Sequence, residues 1–280
     1  MRPVMHPVMR WGWLLGIAVL LAGCQASVYR LPEVTTAEIV AVDAELRAQG
    51  AFRRWPQMSE WDARERLRRA WDRVHGTAVE ICREVRSGSC RWWLDLDPSR
   101  AANAWAAEKG RVRVQLGIAD QSGGDEQVDL TMAHEMAHKI LDHSALAGAW
   151  RDAGVRAGHA AGRAVGLLAA LVGFNVDWFV RRGRLAGARI GILVRSRTHE
   201  READFFAVVI ACRAGLDLDK ARPDRVEYFR GSYRQRSTVL DSHPLGAERI
   251  AQYDRAVAEA RATGCRLPPR DGVLLPWLVP

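Results

Sequence analysis

The stretch Thr131-Met-Ala-His-Glu-Met-Ala-His138, followed by Lys-Ile-Leu-Asp-His143, constrains this 280-residue chain more than any other. It contains His-Glu-x-x-His. Residues four apart share a helix face, so His134 and His138 can both aim at one metal ion. Glu135 projects beside them, where it can take a proton from a water that the metal polarises. Val128, Leu130, Met132, Met136, Ile140 and Leu141 put apolar side chains on more than one side, as a buried helix requires. Two imidazoles and a carboxylate are costly to bury in such a helix unless a cation pairs with them. The motif also occurs by chance in unrelated proteins, so a third ligand has to decide between the two readings.

Thr198-His-Glu200-Arg-Glu202-Ala-Asp204 offers that ligand. A catalytic zinc normally has three protein ligands and one open position. Glu200 is the candidate, and Asp204, one helical turn on, can orient a ligand histidine from behind. His199 and Glu202 lie alongside but point to other helix faces than Glu200. The plain alternative is a solvated charge run on an ordinary helix.

Four segments follow one another in a telling order. They are Asn103-Ala104-Trp105-Ala106 ahead of a strand, His134-Glu-Met-Ala-His138, Glu200-Arg-Glu-Ala-Asp204, and Ser242-His243-Pro244 with Arg249-Ile250. With them the chain resembles metalloendopeptidase family forty-eight, the zinc gluzincins that include HtpX and the CAAX prenyl proteases. The resemblance covers residues 75 to 255. It implies an α+β, mainly helical, zincin-like domain with a small sheet and the His-Glu-x-x-His helix at its centre. It further implies one Zn2+ per chain on His134, His138 and Glu200, with Glu135 as general base. His243 and Arg249 are implied to lie close to the catalytic centre. The role of His243 stays open among an oxyanion donor, a switch that blocks zinc's open position, and a satisfied histidine at a helix start. In related metallopeptidases a peptide pairs with the edge of a strand lining the cleft, which makes Asn103, Ala104, Trp105 and Ala106 cleft candidates. A turn entering the strand is the other reading of those four residues.

The chain reads as a signal at residues 1–23, an N-terminal helical segment at 24–74, a metallopeptidase domain at 75–262 and a tail at 263–280. Arg2 and Arg10 form a positive n-region, and the apolar run Trp11–Ala22 is too short to span a bilayer. Leu21-Ala-Gly-Cys24 resembles a bacterial lipobox, which would make Cys24 the lipidated first mature residue; an ordinary cleavable signal is the alternative. Gln25 rather than Asp after the cysteine favours the outer membrane, by resemblance to lipoprotein sorting. Removing Arg2 and Arg10, and no acid, lowers the net charge from +8 to +6. That charge suits an anionic lipid surface, while no motif points to nucleic acid. Cys82, Cys90, Cys212 and Cys265 remain, an even number that suggests two disulfides in an exported protein. The pairing Cys82–Cys90 and Cys212–Cys265 is favoured among the three possible.

Around the motifs, helices are expected over 33–50 and from an N-capping Ser59. The second carries an apolar stripe of Trp61, Leu67, Trp71, Val74, Ala78 and Ile81 opposite a charged face that includes Arg64, Arg66 and Arg69. Strands are expected at Trp92–Leu96 and Arg111–Leu116, with residues 117–127 linking to the motif helix. Glycines recur every fourth residue at 154–166 and at 183–191, around an apolar run Ala164–Val176. Glycine inside a helix costs roughly 1 kcal/mol relative to alanine, so this spacing points to a helical hairpin that packs closely or forms a mobile cover over the cleft, with a shallow membrane contact or a flexible surface insertion as alternatives. Pro223 is expected to open a segment, and His243 the last long helix. The functional expectation is a zinc endopeptidase acting on unfolded or misassembled envelope proteins. A lipid-anchored binding or assembly factor with a self-blocked or structural zinc site is the alternative.

Overall fold

The computed structural model describes residues 29–48, 55–86, 88–107, 110–120, 123–233 and 246–270, with backbone alone for 190–197 and 231–233. Cys24 and His243 lie outside the described residues. The chain divides into two compact units, one of Tyr29–Gly148 with His199–Arg270 and one that includes Ala149–Thr198. In order, the elements are α1 (Thr36–Ala48), α2 (Glu60–Val85), β1 (Trp93–Asp97), β2 (Ala104–Ala106) and β3 (Arg111–Gln115). A 3-10 turn at Leu116–Asp120 leads to α3 (Asp125–Ile140), α4 (His143–Ala170), α5 (Val176–Arg213), α6 (Leu218–Tyr233) and α7 (Gly246–Thr263). The fold is mainly helical with one small sheet.

The motif helix α3 lies at the centre of the larger unit. Its Val128, Leu130, Met132, Met136 and Ile140 are all buried. On one side it packs against α2, which starts where Ser59 Oγ accepts from the Asp62 amide at 3.0 Å. Leu67, Val74, Ala78 and Ile81 of α2 are wholly buried, whereas Trp61 is 72% exposed, so the buried stripe begins at Ala63 and leaves Trp61 out. The helix also runs without a break through residue 74, where the sequence placed a segment boundary.

Arg66 departs from the charged face expected for it. It is buried and donates to Asp125 Oδ1 at 2.8 Å, to the Ala119 carbonyl at 2.7 Å and to the Gly124 carbonyl. Arg73, two turns on, grips Asp129 through two bonds of 2.8 and 2.6 Å. A guanidinium tolerates burial when its N–H groups are met, and these two clamp the first half of α3 against α2. Periodicity counts Arg66 as polar and cannot register that carbonyls flanking a helix start need a donor.

The sheet has the order β1-β3-β2, with β1 parallel and β2 antiparallel to β3. Val112 and Val114 of the central strand are wholly buried between flanking polar residues, the alternation seen in the sequence. Ala104–Ala106 is a third, edge strand and not a turn. Residues 117–127 are likewise no open linker, since most of the 3-10 turn and the first turn of α3 fall within them. Gly117 is required there: a Cβ would meet the Arg100 carbonyl oxygen at 2.2 Å.

Helices α6 and α7 pack with α1 through Val42, Leu46, Val226, Phe229, Ile250 and Ala251. Helix α6 starts at Leu218, where Asp217 Oδ1 accepts from the amides of Asp219 and Lys220, so Pro223 sits inside the helix and does not open it. Pro223 is the sixth residue of the helix, past the first turn, so it gives up the bond that an N–H there would make to the Asp219 carbonyl. Disulfides join Cys82 to Cys90 and Cys212 to Cys265, tying the ends of α2 and α5 to the strand approach and to the segment after α7.

In the smaller unit, α4 and α5 form a closely packed hairpin along their glycines. A Cβ on Gly158 would meet the Gly183 carbonyl oxygen at 2.0 Å, and one on Gly187 the Gly154 carbonyl oxygen at 2.0 Å. This backbone contact accounts for the four-residue spacing. Among the described residues, no helix is long and apolar enough to cross a membrane.

Candidate metal centre

Helix α3 presents His134 and His138 on one face, and the last third of α5 brings Glu200 against them. His134 Nε2 lies 3.0 Å from His138 Nε2 and 3.3 Å from Glu200 Oε2, and His138 Nε2 lies 3.4 Å from Glu200 Oε1. Ligand bonds of roughly 2.0–2.1 Å in a tetrahedral zinc site set ligand atoms roughly 3.3 Å apart. The observed triangle has that size, and two imidazole nitrogens facing each other at 3.0 Å need a proton or a cation between them. The donor set of two nitrogens and one carboxylate oxygen therefore fits zinc. Glu135 is buried on the same helix beside these ligands.

The pattern of peptidase family M48 matches residues 71–257, which include every one of these side chains. The chain belongs to peptidase family M48. It is 26% identical over 273 residues to the mitochondrial metalloendopeptidase OMA1 of Schizosaccharomyces pombe, covering 90% of this chain and 74% of that protein. It is 30% identical over 153 residues to the beta-barrel assembly-enhancing protease of Escherichia coli O157:H7, and 29% over 155 residues to the putative one of Vibrio cholerae. Those matches take in 53% and 54% of this chain and 31% of each bacterial protein, so the chain spans less than a third of their length. As an M48 member it is a metalloendopeptidase.

Behind these candidate ligands lies a second layer, beginning with Asp204. Its Oδ1 is in ion-pair contact with His134 Nδ1 at 3.0 Å. Arg249 donates to both its oxygens, at 2.8 and 2.7 Å, and Arg225 adds a bond of 2.9 Å. Burial alone would raise the Asp204 carboxyl, but the two guanidinium groups and His134 hold it well below the usual carboxylate range. Burial likewise pushes His134 down, and its contacts with Asp204 and Glu200 outweigh that and push it up to about 9. Arg249 is itself buried and reaches within 3.7 Å of Glu200 Oε2. It lies beside the centre, facing Asp204, and shows no open face toward a substrate.

His138 has its own support. Its Nδ1 lies 2.8 Å from His143 Nδ1, and His143 Nε2 lies 3.1 Å from Glu202 Oε2. His199 stacks on His143 at 4.2 Å with rings 10° apart. When His138 Nε2 faces a metal, its Nδ1–H donates to His143, whose Nε2–H then donates to Glu202. One tautomer satisfies the whole line. Helical spacing presents Glu202 and His199 only as rivals of Glu200 and gives His143 no role. Residues five apart do not meet on a continuous helix; they meet here because Asp142, at φ 54°, breaks α3 from α4 and returns His143 toward His138. An Asp before a histidine just past a helix end was the available signal.

The edge strand β2 is tied to the His138 end of α3, since Lys139 Nζ donates to the Ala107 carbonyl and Ser144 Oγ lies 3.5 Å from the Ala106 carbonyl oxygen. Asn103 accepts from the Gln115 amide at 2.9 Å, and the Arg113 guanidinium lies 5.9 Å from the Trp105 ring centre. These contacts bring Asn103–Ala106 close to the ligand helix.

Two predictions follow from this electrostatic layout. In chelator-treated protein the imidazolium of His134 contributes stability that is fully present below about pH 6.5 and is lost as pH rises through about 9. The melting temperature of the metal-free protein therefore falls across that window, and the fall is absent from His134→Asn. A parallel fall in both would contradict the assignment. Glu202→Gln removes the charge that orients His143 and His138, and lowers zinc affinity by about 10- to 100-fold. Competition against a chromophoric chelator measures it, and unchanged affinity would mean that the line from Glu202 to His138 orients nothing.

Proposed function

We propose that the chain is a zinc-dependent endopeptidase of the bacterial envelope, cutting unfolded or misassembled proteins while held at the periplasmic face of the outer membrane by lipidated Cys24. The carrying observation is the convergence of His134 Nε2, His138 Nε2 and the Glu200 carboxylate, with Glu135 buried next to it. Zinc bound there supplies Lewis-acid polarisation of a water and of the scissile carbonyl. The Glu135 carboxylate takes the water's proton on one Oε as the water attacks, and hands it to the leaving amine. Asp204 and the Glu202–His143 pair keep both ligand imidazoles turned with Nε2 toward the metal. Arg249 and Arg225 keep Asp204 ionised, so Arg249 acts as a positioning residue. His243 serves as a donor to the oxyanion of the attacked carbonyl.

The edge strand Ala104–Ala106 supports an extended peptide as substrate, because main-chain pairing gives affinity with little sequence preference. The envelope setting is supported by the signal-like residues 1–23 and by the similarity to the beta-barrel assembly-enhancing proteases of E. coli and V. cholerae. Glu135→Gln is expected to retain zinc and lose casein cleavage, because an amide is no base, and His243→Ala to retain zinc with turnover lowered about 10²- to 10³-fold. Activity in Glu135→Gln would end the mechanism, and parent-level or higher activity in zinc-loaded His243→Ala would end the donor role. Cells fed a palmitate analogue should label the parent chain and not Cys24→Ala; an unlabelled parent would refute lipidation.

A further inference from the structure

The tip of the α4–α5 hairpin is built unlike the rest of the surface. Leu167, Leu168, Leu171, Val172, Phe174 and Trp178 are 50–82% exposed, around a turn whose Gly173 has φ 86°. The cause is the glycine seam. Because backbone meets backbone along Gly158, Gly183 and Gly187, the inner face of the hairpin has no room for large side chains, and the Leu, Phe and Trp residues face outward. Between Arg163 and Arg181 the only charge is Asp177. Immediately behind the tip stand the exposed Arg163, Arg181, Arg182 and Arg184, with the Arg182 guanidinium 5.4 Å from the Trp178 ring centre. An apolar end, a tryptophan at its border and a basic collar match the layers of an anionic bilayer surface: acyl chains, interface and phosphates.

Dimensions agree with that match. Eight residues separate Arg163 from Leu171, about 12 Å at the helical rise, which suits a tip dipping roughly 5–10 Å below the headgroups. Neither arm is long and apolar enough to cross. A second copy would bring one arginine collar against another, whereas anionic lipid complements it.

We infer that the α4–α5 tip is a membrane-docking element, with Leu171, Val172 and Phe174 inserted among acyl chains and the arginines on lipid phosphates. The inference is independent of the metal site and of the reaction proposed for it. Together with an acyl anchor it would supply the second attachment that stable peripheral binding calls for.

The test uses the full chain with a single environment-sensitive fluorophore on Leu171→Cys, and on Trp61→Cys, 72% exposed in the other unit, as control. With vesicles of phosphatidylglycerol and phosphatidylethanolamine, the probe at 171 should shift to the blue. Brominated acyl chains should quench it about fivefold more than the probe at 61. Both effects should weaken with salt and in Arg181→Gln/Arg182→Gln, with casein cleavage unchanged. Equal quenching at 171 and 61 would overturn the inference. So would a blue shift at 171 without vesicles, since that would mean a second copy covers the tip.

Discussion

One buried carboxylate, Asp204, holds the catalytic unit's helices together. It belongs to α5, touches His134 of α3, and accepts from Arg225 of α6 and Arg249 of α7. Four helices thus meet at one side chain. Taking a carboxylate and two guanidinium groups out of water costs several kcal/mol per ion, and only complete, well-aligned hydrogen bonding offsets that cost. Arg249 engages both oxygens side by side, the strongest geometry such a pair has. The rings of Phe229 and Tyr253 lie against the Arg225 guanidinium, and Phe229 also against that of Arg249, which keeps water away. A shift of α6 or α7 would leave charge buried without a partner, so the cluster fixes the packing as well as the position of His134.

The opposite side of α3 uses the same device. Arg66 and Arg73 of α2 hold Asp125 and Asp129, while on the far side the Asp204 cluster holds His134. A helix that carries two candidate ligands must not rotate, since turning by one residue would carry both imidazoles away from Glu200. Leucine and methionine packing fixes its depth, and the directional bonds to arginine fix its rotation.

The parts legible in the sequence are those whose cause is local. His134 with His138, and Glu200 with Asp204, stand out because helical spacing alone puts each pair on one face. The buried α3, the alternation of β3 and the glycine spacing follow from the same kind of period. The parts not legible depend on partners distant in sequence. Arg66 looks like a surface residue until the Ala119 and Gly124 carbonyls arrive beside it. Trp61 looks like core, although the stripe of α2 is covered only from Ala63 onward. Strand β2 has three residues and takes its conformation from pairing with β3, and Arg249 has no neighbour in its own helix that would point it toward Asp204.

Glu200 and Glu202 show how two identical side chains take different parts. Two residues apart on a helix, they face nearly opposite ways, so only one can join the ligand triangle directly. The break at Asp142 lets His143 approach from the other side and meet Glu202 there. The charge of Glu202 then reaches the centre through two imidazoles, while that of Glu200 reaches it directly. Each candidate ligand histidine consequently has a carboxylate behind it, Asp204 for His134 and Glu202, by way of His143, for His138. Such partners fix the tautomer and raise the ligand's basicity. The difference between them lies in stiffness. Asp204 is held by two arginines on neighbouring helices, whereas Glu202 acts through a ring that is itself positioned by a stacked His199. His138 is thus the candidate ligand with the longer and softer support, and metal binding should depend on His143 and Glu202 even though neither belongs to the triangle.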